Sequence, residues 1–250
     1  MDWHARYVEQ AGWTRQNRAR LMQMCRLPQA ARLLEVGCGT GAVLADTVPQ
    51  GPAARLFGLD IARPPLEMAM RNAPQAHYTQ GDALRLPFPA RTFDAVFSHF
   101  LLLWLPDPLQ ALREMRRVTR PGGRVLALAE PDYGGRLDAP PPLDEAGRWQ
   151  TRALRAQGAQ PETGRHLRAL FTRAGLHEIA GGILGAEWHT ADGPEDAAAE
   201  WQVFRQDMCH LPHPPDEAQI AVWQAADMCA RQRGERVLFV PVCYAFGKAP

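Results

Sequence analysis

Three glycines at alternate positions, Gly37, Gly39 and Gly41, follow the apolar stretch Leu33–Leu34–Glu35–Val36. With no Cβ in the way, such a turn lets backbone approach a ligand closely. The dinucleotide fingerprint spaces its glycines Gly-x-Gly-x-x-Gly and sets a pyrophosphate on a helix N-terminus. Here the third glycine comes one residue early, and Glu35 stands just before the turn. Negative charge at that point suits a cationic ligand better than a pyrophosphate. Two further carboxylates, Asp60 and Asp82, close short strand-like segments; taken alone, each could simply end a strand or shape a turn. Ser98 and His99 follow a fourth apolar segment. Imidazole titrates near neutral pH, which makes His99 a candidate base, or else a pocket-wall histidine. Cys209–His210–x–x–His213 has a metal-like spacing. Prolines interrupt it and no partner cluster is apparent, whereas a structural zinc takes four ligands, so no metal is expected.

The elements that must carry these residues alternate. Strands are expected over Ala31–Val36, Arg55–Asp60, His77–Thr79, Phe93–Ser98 and Arg124–Ala129, with helices over 42–48, 64–71 and 108–119. Pro64–Pro65 suits a first helical turn, and Pro121–Gly122–Gly123 a helix stop. Continuous apolar strands joined by helices mean parallel strands and a doubly wound α/β sheet. A helix is expected over 3–24, and helical stretches at 143–157, 165–174, 194–208 and 217–231. Late strands are expected at Ile179–Leu184 and Val237–Phe246, with Pro241 marking an edge or a bulge.

Five motifs now stand in order. They are Glu35–Val36–Gly37–Cys38–Gly39–Thr40–Gly41, Asp60, Gly81–Asp82–Ala83, Phe93–Asp94–Ala95–Val96 and Arg120–Pro121–Gly122–Gly123. In this the chain resembles the class I S-adenosylmethionine-dependent methyltransferases, over roughly Ala31 to Pro131. The pattern is nearest the small-molecule branch, quinone-biosynthesis methylases included. The resemblance implies a mostly parallel, seven-stranded Rossmann-like sheet. It also implies that Glu35 and the backbone of Gly37, Cys38, Gly39 and Gly41 cradle the methionine part of S-adenosylmethionine. Asp60 would accept from both ribose hydroxyls, and Ile61 would lie on the adenine face. Asp82 would accept from the adenine amino group, with Gly81 and Ala83 beside it. Ser98 and His99 would flank the sulfonium methyl. Tyr7 and Trp13 sit on the first helix, which folds over the cofactor in related enzymes. Tyr133, after the fifth strand, is a second catalytic candidate on the acceptor side.

The implied reaction is direct in-line methyl transfer to a small acceptor. A single domain, 1–250, is expected, with a lid helix at about 3–24 and helical cap insertions at about 132–161 and 186–234. Trp149, Trp188, Trp201 and Trp223 in these insertions suit an apolar or aromatic acceptor. The other readings are an RNA or protein methylase, or a regulatory protein that binds the cofactor without catalysis. Composition narrows these. Among 250 residues, Lys+Arg 28 balance Asp+Glu 27, a net charge of +1, with no basic excess of the kind a nucleic-acid binder shows. Arg113, Arg116, Arg117 and Arg120 read as a solvated helix face. No apolar stretch has the roughly 20 residues of a membrane span, and five scattered cysteines without a CxxC pair suggest a cytoplasmic setting.

Overall fold

Four of the five residues in Arg32–Val36 are buried, the pattern of a strand covered on both faces. The computed structural model describes residues 3–27, 30–47, 55–184 and 194–250. In it this segment, β1, pairs in parallel with β2 (Arg55–Asp60) on one side and β4 (Phe93–Ser98) on the other. β3 (Ala76–Gln80) lies beyond β2, and β5 (Thr119–Pro131) beyond β4, both parallel to their neighbours. β7 (His177–Leu184) and β9 (Val242–Lys248) complete a seven-stranded sheet of order β3-β2-β1-β4-β5-β9-β7. β7 and β9 are antiparallel. Gly122 N–H donates to Ala249 O and Ala249 N–H to Gly123 O, so β9 runs back against β5. The mostly parallel, doubly wound sheet expected from the sequence is therefore present. The chain moves outward from β1 to β3, then resumes at β4 on the opposite side of β1. That reversal opens a crevice at the carboxyl ends of β1 and β4.

Side chains alternate between the two faces of the sheet. Leu34, Val36, Val96 and Val125 pack with α5 (Pro108–Val118) and α7 (Thr163–Arg173) through Leu112, Met115 and Phe171. Leu33, Phe97 and Leu126 pack with α2 (Arg15–Met24), α3 (Ala42–Asp46) and α4 (Arg63–Asn72) through Leu21, Leu44 and Leu66. α5 starts sharply because Pro108 fills its first position and Asp107 Oδ1 accepts from Gln110 N–H at 2.9 Å.

The chain divides into two compact units, Met1–Glu130 with Thr163–Leu184 and Val242–Pro250, and Pro131–Glu162 with Gly185–Pro241. The first holds the sheet. The second holds the antiparallel pair β6 (Leu137–Ala139) and β8 (Val237–Phe239), and α6 (Leu143–Ala156), α8 (Pro194–Met208) and α9 (Glu217–Arg233). Its core is Leu143, Phe204, Ile220 and Trp223. Buried Asp227 accepts from Trp201 Nε1 at 3.1 Å, Arg231 Nε at 2.9 Å and Arg236 Nε at 2.6 Å. Burial pushes its carboxyl up, but these donors hold it below the ordinary aspartate range.

Several expectations change. The single helix over 3–24 is two, α1 (Trp3–Trp13) and α2, broken at Thr14, whose φ and ψ of −107° and 2° leave the helical region. The strand expected over 237–246 is also two, β8 and β9, in different sheets on either side of Pro241. Proline cannot donate to a ladder, so pairing changes there. Arg120–Gly123 lies inside β5 instead of merely ending α5. Trp223 is wholly buried and Trp201 is tied to Asp227, so both serve the second unit's own core. Trp188 lies outside the described residues.

Candidate active site at the carboxyl ends of the strands

The glycine turn leaves β1 with its amides folded back. Gly37 and Cys38 N–H both donate to Leu59 O, at 2.7 and 3.0 Å. Gly37 has φ +73°, and a Cβ there would stand 2.6 Å from Leu101 Cδ1. Gly39 has φ +50°, and a Cβ there would meet the Tyr7 ring at 3.3 Å. The turn thus needs glycine for conformation and for space. Its amide edge meets the end of β2, where Asp60 Oδ2 accepts from Gly39 N–H at 2.9 Å and Asp60 Oδ1 from Ala62 N–H at 2.9 Å. A carboxylate offers about four lone-pair directions, so each oxygen keeps one for a further donor. Cys38 is buried, which pushes its thiol far above the range of a nucleophile; it fills space.

The other cofactor-side residues lie at successive strand ends. Ile61 follows β2 and is 67% exposed, an apolar side chain left uncovered at the strand end. Gly81, Asp82 and Ala83 follow β3; Asp82 Oδ1 accepts from Leu84 N–H at 2.8 Å, a turn that leaves Oδ2 outside it. Ser98 ends β4, fully buried, and its Oγ lacks a partner among the described residues. Glu35 is buried in β1, and its Oε2 lacks one too. Burial holds the Glu35 carboxyl well above the ordinary glutamate range, with Arg18 pulling it down and Asp60 pushing it up. A cationic ligand would let it ionise.

α1 covers this crevice. Tyr7 lies on Gly39, and burial followed by the Asp60 charge raises its hydroxyl pKa. His4 Nδ1 stands 2.8 Å from Thr40 Oγ1, and Asn72 Nδ2 donates to Thr40 O at 2.9 Å. A cleft of about 230 Å³ beside them is lined by His4, Val8, Arg15, Asp46 and Asn72. Asp60 is not among its lining residues. Trp13 is 56% exposed, with the Arg6 guanidinium 4.8 Å over its ring.

His99 Nε2 lies 2.8 Å from Thr14 Oγ1. Burial, then the Arg18 guanidinium, lowers its pKa to about 3. Such an imidazole is neutral at pH 7, the form in which a base accepts a proton, and it is a weak one. Tyr133 belongs to the second unit, where its N–H donates to Pro161 O at 2.9 Å; His99 belongs to the first. Glu130, at the end of β5, is fully buried and accepts from Leu101, Leu102 and Leu103 N–H at 3.0, 2.9 and 3.3 Å. It anchors the 3-10 turn Leu102–Trp104 that follows His99.

Sequence reasoning gave no role to Thr14, Arg18 or Asp46. The signal was the pair Thr14 and Arg18, four apart and so on one helix face. Two of the four arginines in the basic stripe are paired. Arg117 bonds Glu114 and the carbonyls of Leu86 and Phe88, and Arg120 lies 2.5 Å from Asp94. Among the described residues no group of three or more His, Cys, Asp or Glu could hold a metal, and no helix is long and apolar enough to cross a membrane.

Comparison with known proteins agrees with this geometry. Residues 34–127 match the family described as methyltransferase domain. A demethylmenaquinone methyltransferase of Bacillus licheniformis is 38% identical over 126 residues, 47% of this chain and 53% of the relative. A 2-phytyl-1,4-naphthoquinone methyltransferase of Thermosynechococcus vestitus is 43% identical over 108 residues, 41% of this chain and 47% of the relative. The matched region thus spans about half the length of these relatives. Among solved structures, a phosphoethanolamine N-methyltransferase of Haemonchus contortus superposes with a TM-score of 0.61 at 16% identity, covering 97% of this chain and 57% of the other. It shares the fold.

Proposed function

We propose that the chain is a class I S-adenosylmethionine-dependent methyltransferase and that it methylates a small apolar or aromatic acceptor of the quinol type. The observation that carries the reading is Asp60, a carboxylate fixed at the end of β2 by two backbone amides and keeping a free acceptor direction on each oxygen. That fork matches a pair of vicinal hydroxyls. The remaining residues fit the same cofactor. The glycine turn admits the methionine part, orphaned Glu35 suits its ammonium, exposed Ile61 takes the adenine face and Asp82 Oδ2 its amino group. The quinol class follows from the relatives' names.

When bound, S-adenosylmethionine supplies an electrophilic sulfonium methyl with a neutral leaving group. The acceptor's electron pair forms the new bond as the methyl–sulfur pair withdraws onto sulfur, and the acceptor's proton goes to solvent. The protein's part is alignment and exclusion of water. Tyr7 and α1 close one side of the glycine turn. Ser98 and His99 stand at the end of β4, where they would border the methyl when the cofactor is bound. Because His99 is a weak base, an acceptor that ionises readily, such as a phenol-type oxygen, fits best. A cytoplasmic setting accords with the five free thiols.

Calorimetric titration with S-adenosylhomocysteine, with NAD as control, tests the reading. Micromolar binding of the former alone is expected. Asp60→Ala should weaken it by about 1–3 kcal/mol. Unchanged affinity in a folded Asp60→Ala variant would remove Asp60 from the site and the reading with it.

A further inference from the structure

Four residues from separate places in the chain form one hydrogen-bonded series in the first unit. Asp46 Oδ2, on α3, accepts from Arg18 Nη2 at 3.0 Å. Arg18, buried on α2, donates through Nη1 to Ala11 O at 2.7 Å and to Thr14 Oγ1 at 3.0 Å. Thr14, at the break between α1 and α2, meets His99 Nε2 at 2.8 Å. The direction of the last bond follows from the others. Arg18 has donors only, so Thr14 Oγ1 must accept from it. The Thr14 hydrogen then has two choices. Ala11 O is 3.5 Å away and already accepts from Arg18; His99 Nε2 is 2.8 Å away. Thr14 therefore donates to His99 Nε2, and the imidazole hydrogen sits on Nδ1. The reverse tautomer would set two donors on one hydroxyl oxygen. It would also leave the hydroxyl hydrogen with the 3.5 Å contact alone. Nδ1 makes no hydrogen bond to any of the described residues.

We propose that Thr14, held by Arg18 and Asp46, is a positioning residue that fixes His99 in its neutral Nδ1–H form, so that His99 offers a hydrogen-bond donor to the acceptor's oxygen. The assignment of that donor to an acceptor oxygen rests on the methyltransfer reading above. A donor at this point orients a phenol-type acceptor and favours its ionised form, which supplies the electron pair. It also gives a role to a neutral, weakly basic histidine at the strand end. The break in the helix at Thr14 acquires a purpose, since a continuous helix would not leave its hydroxyl directed between Arg18 and His99.

The test uses the full chain labelled with ¹⁵N-histidine at pH 7.5. The His99 signal is assigned by its loss in His99→Asn. The expected result is the Nδ1–H tautomer in the unmodified protein and in Thr14→Ser, with mixed tautomers in Thr14→Val. An Nε2–H form, an imidazolium, or a Thr14→Val spectrum unchanged at His99 would overturn the proposal. The turnover probe is 1,4-naphthohydroquinone kept reduced, with labelled S-adenosylmethionine. Thr14→Val should lose about tenfold in kcat while S-adenosylhomocysteine affinity holds, and Thr14→Ser should restore most of the loss. Equal kcat in Thr14→Val and the unmodified protein would refute the donor role. A protein that binds S-adenosylhomocysteine and shows the expected tautomer, yet leaves the probe unmethylated, would instead count against the quinol reading.

Discussion

Glu130 offers a crossing of stabilities that can be measured. Its carboxylate is wholly buried under three amides, two on Oε1 and one on Oε2. In Glu130→Gln the amide oxygen keeps Leu101 and Leu102, but the new NH₂ faces Leu103 N–H. That loses one bond and opposes two donors, a cost of about 1–2 kcal/mol at any pH. The unmodified protein has a pH-dependent term as well. Burial raises the Glu130 pKa from 4.5 to about 7, against the pull of the three amides. The folded state therefore holds a proton that the unfolded chain has released. This stabilises fully below pH 4.5 and is lost as pH rises through about 7. Across that window the loss amounts to about 3 kcal/mol. Glu130→Gln should thus be about 0–1 kcal/mol less stable than the parent at pH 5 and about 1–2 kcal/mol more stable at pH 8. Urea unfolding at both values, with the m-value checked between variants, reads the difference. His99, whose pKa is lowered, destabilises as pH falls below 6.5, but it does so in both proteins and cancels. A stability gap that does not change between pH 5 and pH 8 would show that the three amides keep Glu130 ionised and that burial has been given too much weight.

Two further outcomes follow from close packing and buried charge. Gly39→Ala places a methyl 3.3 Å from the Tyr7 ring on backbone at φ +50°, so S-adenosylhomocysteine affinity should fall more than tenfold by calorimetry. Asp227→Ala leaves Arg231 with Glu200 and Arg236 with Asp138 but removes three hydrogen bonds to a buried carboxylate in the second unit, a cost of about 2–4 kcal/mol. Limited proteolysis should then cut within residues 185–241 while the sheet-bearing unit resists.

The sheet and the glycine turn were legible because their signals are local. Runs such as Leu33–Val36 and Phe93–Ser98 can be covered only on both faces, and Gly37, Gly39 and Gly41 announce a backbone that no other residue adopts cheaply. The position of Asp60 at a strand end follows from the same reading. What stayed hidden depends on distant partners. Thr14 and His99 are 85 residues apart, and Arg18 and Asp46 are 28 apart. Nothing in a helix pattern tells that Thr14 breaks it to serve a histidine. Nor does the sequence show that Glu130 holds a turn, because its amide partners lie 27–29 residues upstream. Leu137–Ala139 is too short to carry an alternation, and the strand over 237–246 looked continuous because both halves are apolar while only tertiary pairing separates them.

The chain passes between its two units four times, after Glu130, Glu162, Leu184 and Pro241. This sets an order of assembly during synthesis. β1 to β5 all precede the first crossing, so five parallel strands and their helices can pair as soon as residue 130 has emerged. The second unit cannot close until β8 reaches β6, about a hundred residues later. The last strand, β9, must then enter between β5 and β7, both made earlier. Until it does, two strands present bare edges, the state in which a sheet protein is most exposed to mispairing with its neighbours.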